Sequence, residues 1–251
     1  KKTERRYHKA RMVLFCLSDL HGTCYEPGNR PIIECAWNQK PDLILASGDM
    51  LSGDREEGDA IAVALLSRLS DLAPVCFVNG NHEMCVERHQ PERYQKFMDD
   101  LKNGGVQVLH NETACFWIDG EKVAVTGYEL PWEYYRRFSR RHPSVVGMER
   151  SIGKRKQDAY QILLTHNPVF FEEYTAWGAD FTFAGHLHGG FIRLPYFDGV
   201  ISPQFQLFPK YDHGLYQMDT SSMVVGAGMG NHSGLFRINN PTEVVTVRIK
   251  R

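Results

Sequence analysis

The chain has 251 residues with a formal net charge of -1, and 42% of them are hydrophobic and 24% charged. This length can bury one large core, and one compact domain is the simpler interpretation. The near-neutral charge gives no overall basic field, so composition does not indicate a nucleic acid partner. The six cysteines include no C-x-x-C pair. They predict small buried side chains in a reducing compartment and exclude a disulfide framework or a zinc-thiolate site.

The N-terminal end is basic. Its cationic residues are Lys1, Lys2, Arg5, Arg6, Lys9 and Arg11. Residues 1–11 are either a solvated tail or the flank of a removed membrane anchor, since the cytoplasmic flanks of such anchors are rich in Lys and Arg. No apolar stretch reaches the roughly 18 to 20 residues that span a bilayer. We expect a cytoplasmic protein, with the cytoplasmic face of the membrane as the alternative.

Short apolar runs alternate with helical patterns along the rest of the chain, which favours an α/β layered fold. Apolar runs predict strands at Met12–Leu17, Leu43–Ala46, Val75–Val78, Lys122–Thr126, Ile162–Thr165, Phe181–Ala184, Ser222–Val225 and Glu243–Ile249. Helical spacing predicts helices over about Glu56–Leu72 and Pro91–Lys102. Turn residues predict an extended loop system over residues 194–216.

Five of these strands end in polar residues that can bind cations. The clusters are Ser18-Asp19-Leu20-His21-Gly22, Gly48-Asp49, Asn79-Gly80-Asn81-His82-Glu83, Thr165-His166-Asn167 and Gly185-His186-Leu187-His188-Gly189. Because α/β sheets bind ligands at the carboxyl ends of their strands, we expect the clusters to form one site. On an extended backbone residues two apart face the same side, so Asp19 and His21 can converge on one cation. Carboxylate and amide oxygens mixed with imidazole nitrogens suit Mn, Fe or Zn better than a calcium cage.

Two competing motifs fail on a single residue each. A zincin helix beginning at His82 would need histidine at position 86, where the chain has Val86. A dinucleotide loop beginning at Gly226 would need glycine at position 231, where the chain has Asn231.

In the same order, the five clusters resemble the five blocks of the calcineurin-like metallophosphoesterases. The resemblance implies a layered α/β/β/α sandwich with two central mixed sheets over residues 12–251, and a phosphate-ester hydrolase that uses two divalent metal ions. It implies these ligands: Asp19, His21 and His188 for the first metal, Asn81, His166 and His186 for the second, and Asp49 bridging both. It also implies that His82 contacts the phosphoryl group and helps to protonate the leaving oxygen; the alternative is a supporting role behind the ligands.

The branch of the family follows from the residues after Asp49. Protein phosphatases of this superfamily continue with Asp-Arg-Gly, but here Met50-Leu51-Ser52 follows, so a phosphoprotein phosphatase is disfavoured. The C-terminal third, including Gly228-Met229-Gly230 and Phe236-Arg237-Ile238, is similar to the small bacterial phosphoesterases of the UDP-diacylglucosamine pyrophosphatase-like group, which are often membrane-anchored. We therefore expect a phosphodiester or pyrophosphate bond in a small molecule or a lipid-linked substrate.

Residues 129–156 interleave aromatic and basic side chains and depart from a minimal fold. One interpretation is an exposed helix pair with buried aromatic stems. The other is a cap insertion that gathers an anionic substrate or touches an anionic membrane surface.

Two other functions are compatible with the same fold. A nuclease-type phosphodiesterase also uses two metals, but the chain shows no continuous basic groove outside the possible cap. A non-catalytic metal-binding scaffold would keep the fold and lose ligands, and here every expected ligand is present.

Overall fold

The computed structural model describes residues 12–25, 27–53, 55–136, 141–190, 193–194, 197–199, 209–230 and 237–250. The strands are β1 (Met12–Leu17), β2 (Leu43–Ala46), β3 (Val75–Phe77), β4 (Gln107–Val108), β5 (Thr113–Ile118), β6 (Glu121–Tyr128), β7 (Tyr160–Thr165), β8 (Phe181–Ala184), β9 (Arg193–Leu194), β10 (Phe197–Gly199), β11 (Gly214–Met218), β12 (Ser221–Val225) and β13 (Val245–Ile249). The helices are α1 (Arg30–Gln39), α2 (Glu57–Ser70), α3 (Asn81–His89), α4 (Pro91–Asn103), α5 (Val145–Ile152) and α6 (Phe171–Trp177). The basic segment 1–11 lies outside the described residues.

Two mixed sheets form the centre of the molecule. The first has the order β13-β1-β2-β3-β4, in which β13 runs antiparallel to β1 and the other pairs are parallel. The second has the order β11-β12-β8-β7-β6-β5, in which both edge pairs are antiparallel and the inner pairs are parallel. A separate two-stranded ribbon joins β9 and β10.

Apolar clusters separate the layers. Phe15 of β1 belongs to a cluster with helices α1 to α4, whereas its neighbour Leu14 faces the second sheet. In β7, Leu164 lies between the sheets and Leu163 packs towards α5 and α6. Strands covered on both faces read as continuous apolar runs, which is why their positions can be predicted from sequence. The layer order is therefore α/β/β/α, as expected from the resemblance.

Some predicted elements differ from the structure. The predicted loop system 194–216 is wrong in part, because it contains strand β10, which pairs with β9, and because β11 begins at Gly214 and pairs antiparallel with β12. Residues 195–196 and 200–208 of that segment lie outside the described residues. Helices α1, α3 and α6 have no predicted counterpart. Helix α3 buries only Glu83 and Val86 and so lacks an apolar repeat.

Two further features bear on the protein's surroundings. Within the described ranges, no helix is both long enough and apolar enough to cross a membrane. Cys16 and Cys76 lie in the core, but Cys24 and Cys115 are exposed, so the expectation that the cysteines are buried holds only in part.

Candidate metal centre

The predicted site residues lie where the carboxyl ends of both sheets meet. Asp19 and Asp49 follow β1 and β2 of the first sheet, and His166 follows β7 of the second. The sheets are joined at this point, since the N–H of His186, just after β8, donates to Asp19 Oδ1 over 3.1 Å. The site is therefore assembled from the ends of two facing sheets.

The backbone at five of the seven expected ligands is left-handed. The φ angles are 54° at Asp19, 48° at His21, 52° at Asp49, 72° at His186 and 51° at His188. The prediction that Asp19 and His21 converge on an extended backbone is wrong in its reason, because β1 ends at Leu17 and the chain turns. Non-glycine residues seldom adopt this region, and such conformations gather at functional sites.

Two glycines let neighbouring loops approach the central carboxylates. A Cβ atom on Gly80 would lie 2.2 Å from Asp49 Oδ1, and one on Gly185 would lie 2.4 Å from Asp19 Oδ2. Just beyond Gly80, the N–H of His82 donates to Asp49 Oδ1 over 2.8 Å. The backbone at each glycine therefore lies close to a carboxylate, and any side chain at that position would clash with it.

Glu83 stabilises the loops around the site, a role that the sequence analysis did not predict. Its buried carboxylate accepts backbone hydrogen bonds from Asp49, Met50, Leu51 and Gly80 over 2.8 to 3.1 Å. Burial, with the charge of Asp49 added, raises the pKa of Glu83 to about 7. The side chain binds the loop after β2 to the start of α3, and both segments carry expected site residues.

Among the residues that the structure describes, three groups of side chains could each hold a metal ion. They are Asp19 with His21 and His188, His21 with Asp49 and His82, and Asp49 with His166 and His186, and within each group the ligand atoms lie within 4.8 Å of one another. Asp49 belongs to two of these groups. The groups contain the expected ligands of both metals except Asn81, and the ligand roles themselves stay predictions.

The distances between atoms agree with ligands of a common cation. Two atoms bound at about 2.1 Å lie about 3.0 to 3.4 Å apart at octahedral or tetrahedral angles. His188 Nε2 lies 3.2 Å from His21 Nε2 and 3.4 Å from Asp19 Oδ1. His166 Nε2 lies 3.1 Å from Asp49 Oδ2.

Asn81 lies at the first position of α3. Among the described residues its buried Oδ1 has no hydrogen-bond partner. A buried carbonyl oxygen without a partner is costly, and a cation would satisfy it. The donor set thus fits divalent metal ions.

Charge at the site favours cations. Burial raises the pKa of Asp19 to about 6, and His166 opposes the rise. Burial also opposes ionisation of Asp49, but neighbouring imidazoles, His166 foremost, outweigh it and hold the pKa of Asp49 well below its usual range. In His166 burial lowers the pKa, but the Asp49 and Asp19 carboxylates outweigh it and raise the pKa to about 9. Two buried carboxylates therefore stabilise positive charge beside them.

The ring of His82 is held by the loop after Asp49. The backbone N–H of Gly53 donates to His82 Nδ1 over 3.2 Å. Because Nδ1 accepts this hydrogen bond, the proton of the neutral ring is on Nε2. His82 is therefore set up as a hydrogen-bond donor through Nε2.

Arg93 of α4 fixes the same loop. Its Nε and Nη2 each lie 2.7 Å from a carboxylate oxygen of Asp59, and Nη2 donates to the Ser52 carbonyl over 2.8 Å. Both side chains are largely buried. No local pattern marks this pair, because its members are 34 positions apart.

The start of segment 129–156 contacts the site. The buried ring of Tyr135 lies 5.2 Å from the His186 ring and 6.1 Å from the His166 ring, measured between centroids. The segment contains a 3-10 turn at Trp132–Tyr134 and helix α5. Residues 137–140 lie outside the described residues, so the predicted helix pair is described only in part.

The fold and this cluster define an α/β/β/α protein with a candidate metal centre. Residues 12–190 match the family model described as calcineurin-like phosphoesterase. The chain therefore belongs to the calcineurin-like phosphoesterase family, which indicates a hydrolase that uses divalent metal ions.

Comparison with known proteins gives relatives of the same kind. Phosphodiesterase YaeI of Escherichia coli (strain K12) is 26% identical over 239 residues, which cover 94% of this chain and 81% of that protein. A metallophosphoesterase of Aquifex aeolicus (strain VF5) is 26% identical over 229 residues, which cover 84% of this chain and 74% of that protein. The structure of the NAD nucleotidase of Haemophilus influenzae matches with a TM-score of 0.58 at 16% identity, covering 88% of this chain and 46% of that one. At such identity the structural likeness supports the fold alone.

Proposed function

We propose that this protein hydrolyses phosphodiester or pyrophosphate bonds with two divalent metal ions. The observation that carries the proposal is that, among the described residues, Asp49 is a carboxylate in two candidate metal-binding groups, one with His21 and one with His166 and His186. A carboxylate shared in this way is suited to bridge two cations. Mn, Fe and Zn are the metals that the mixed carboxylate and imidazole donors favour.

The proposed ligand assignment is the one that the family resemblance implies, and two of the groups agree with it. Asp19, His21 and His188 would hold the first cation; Asn81, His166 and His186 would hold the second; and Asp49 would contact both. One of its oxygens, Oδ2, lies between the two sets of ligands, 3.1 Å from His166 Nε2 and 3.9 Å from His21 Nε2. The remaining donor would be Asn81, because its buried Oδ1 has no hydrogen-bond partner among the described residues.

Formal charge explains why this site suits phosphate. Two divalent cations less the two carboxylates leave a charge of about +2, because the other ligands are neutral. When bound, the cations would lower the pKa of a shared water and offset negative charge on the phosphoryl group.

His82 would help to protonate the leaving oxygen. With Nδ1 held by Gly53, its Nε2–H can donate a hydrogen bond to a phosphoryl oxygen or to the leaving oxygen. His82 also lies against the metal groups, since its ring centroid is 4.6 Å from that of His21.

The preference for a diester or pyrophosphate is supported by two observations. The Asp-Arg-Gly of the protein phosphatases is absent after Asp49. One relative whose match covers 94% of this chain is named a phosphodiesterase. A finer assignment to the UDP-diacylglucosamine pyrophosphatase-like group, with a lipid-linked substrate, stays a prediction from the C-terminal motifs.

Segment 129–156 is proposed as the cap on this site, because Tyr135 brings it against the His186 ring. Its exposed Trp132 and Arg136 suit an amphipathic or anionic partner, and an anionic membrane surface on the cytoplasmic side is one such partner. Sedimentation with vesicles tests the membrane version. Binding that does not depend on the content of anionic lipid contradicts it.

The function is tested with bis-p-nitrophenyl phosphate, p-nitrophenyl phosphate and single-stranded DNA, each with Mn²⁺ and after chelation. We expect hydrolysis of the diester with Mn²⁺ and none after complete metal removal. Asp49→Asn should abolish it, whereas Asp71→Asn, a matched change at an exposed position, should not. Preference for DNA would support the nuclease alternative, and activity without metal would contradict the proposal.

A further inference from the structure

Arg237 contacts the site from a segment beyond the family match, which ends at residue 190. Its Nη2 lies 3.1 Å from His188 Nδ1. The same guanidinium donates to the carbonyl of Ala227 over 2.7 Å and to that of Gly230. These two carbonyls hold the positive charge against the imidazole.

The Nδ1 atom is on the far side of the His188 ring from the metal group. The other ring nitrogen, Nε2, is the atom that lies 3.2 Å from His21 Nε2 and 3.4 Å from Asp19 Oδ1. If Nε2 holds a cation, a neutral ring carries its proton on Nδ1. A guanidinium has donors only, so two N–H groups would then face each other.

His166 shows the contrasting arrangement. Its Nδ1 lies 2.6 Å from the backbone carbonyl of Ser47, which can only accept a hydrogen bond. This is the usual partner of a metal-binding histidine, because it keeps the proton on Nδ1 and leaves Nε2 for the cation. The two histidines therefore differ in the group that contacts Nδ1, which is a carbonyl at His166 and a guanidinium at His188.

We infer that Arg237 weakens cation binding at the group formed by Asp19, His21 and His188, so that the two cations bind with unequal affinity. Both the donor facing Nδ1 and the positive charge oppose a cation on Nε2. The group with Asp49, His166 and His186 is the tighter one. Because turnover needs both cations, the metal concentration that activates the enzyme is set by the weaker affinity of the group that contains His188. This inference rests on the proposed function, since it concerns the same two cations.

The same segment also offers a residue that supports the site without charge. The Asn240 amide donates to the carbonyls of His188 and Gly190. Asn240→Ala removes support from this loop and leaves the guanidinium in place. It is therefore the matched control for a purely structural role of Arg237.

The test is calorimetric titration of the metal-free protein with Mn²⁺. We expect two binding events whose dissociation constants differ at least about tenfold. In Arg237→Gln, whose amide oxygen can accept from Nδ1–H, the weaker event should tighten about tenfold. Arg237→Lys keeps the positive charge, so the difference between the two dissociation constants should remain. Asn240→Ala should weaken Mn²⁺ binding.

Further variants keep the inference testable if Arg237→Gln does not fold. His188→Ala should remove the weaker event, and His166→Ala should remove the tighter one. The inference is overturned if His188→Ala removes the tighter event, or if Arg237→Gln weakens binding as Asn240→Ala does. Two equal binding events also overturn it while leaving the proposed function intact, whereas a protein that binds no Mn²⁺ contradicts the proposed function itself.

Discussion

The buried carboxylate of Glu83 accepts a hydrogen bond of 2.8 Å from the backbone N–H of Asp49, and so joins α3 to the loop after β2. Three more backbone N–H groups donate to the same carboxylate. A carboxylate is the side-chain group that can accept four such bonds at once. The shape of the Asp49 loop therefore depends on a residue 34 positions away.

Glu83→Gln should destabilise the fold. The amide keeps one acceptor oxygen and turns an NH₂ group towards backbone donors, which costs about 1 to 3 kcal/mol for a buried polar group left unsatisfied. Urea unfolding measures the loss in the free energy of unfolding. The affinity for metal ions should fall as well, because the Asp49 loop loses its support. Glu87→Gln, on the exposed side of the same helix, is the control. Equal stability of the two variants would contradict this role of Glu83.

Arg93→Lys should loosen the loop that carries Gly53. Lysine cannot reproduce the paired bonds to Asp59, and hydrogen bonds to charged groups contribute about 1.5 to 3 kcal/mol. Urea unfolding should show this loss, and kcat should fall because Gly53 no longer holds His82. Lys96→Gln breaks an exposed ion pair on the same helix and should change little. A loss of stability with unchanged kcat would separate Arg93 from the placement of His82.

His82→Ala should reduce turnover without removing the metals. A positioned hydrogen-bond donor or acid contributes about 100- to 10,000-fold to the rate. Turnover of bis-p-nitrophenyl phosphate and elemental analysis of the purified variant measure the two quantities separately. His89→Ala, at an exposed position of the same helix, should change neither. Unchanged turnover in His82→Ala would remove this residue from the mechanism.

The pair formed by His110 and Glu129 should make stability depend on pH. The hydrogen bond to Glu129, with Nδ1 3.1 Å from Oε1, raises the pKa of His110. Because the pKa is raised in the folded state, the contribution is fully present below the unfolded value of about 6.5. It is lost as the pH rises through the higher folded value.

The measurement compares the free energy of unfolding of the wild type and His110→Gln across this window. The difference between them should be largest near pH 6 and shrink towards pH 9. Glu129→Gln should remove the same pH dependence. A difference that is constant over the range would show that the pair does not titrate in this way.

Sequence patterns located the strands of the buried sheets because both faces of such strands are covered. β1, for example, reads as an apolar run from Met12 to Leu17. They missed helices α1, α3 and α6 and the strands β4, β5 and β11, and β4, β5 and β11 lie at the edge of a sheet or pair with only one neighbour. They also gave a wrong reason for the convergence of Asp19 and His21, because periodicity reports regular backbone and these residues lie in left-handed turns.

The donor chemistry and its position after the strands can be predicted from local sequence, since both are properties of motifs such as Gly80-Asn81-His82. Which residues support those donors depends on tertiary packing. Glu83 holds the Asp49 loop, Gly53 holds His82, and Arg237 meets His188 from 49 positions away. Such contacts depend on how loops from two sheets pack together, and no local spacing of residues encodes that packing.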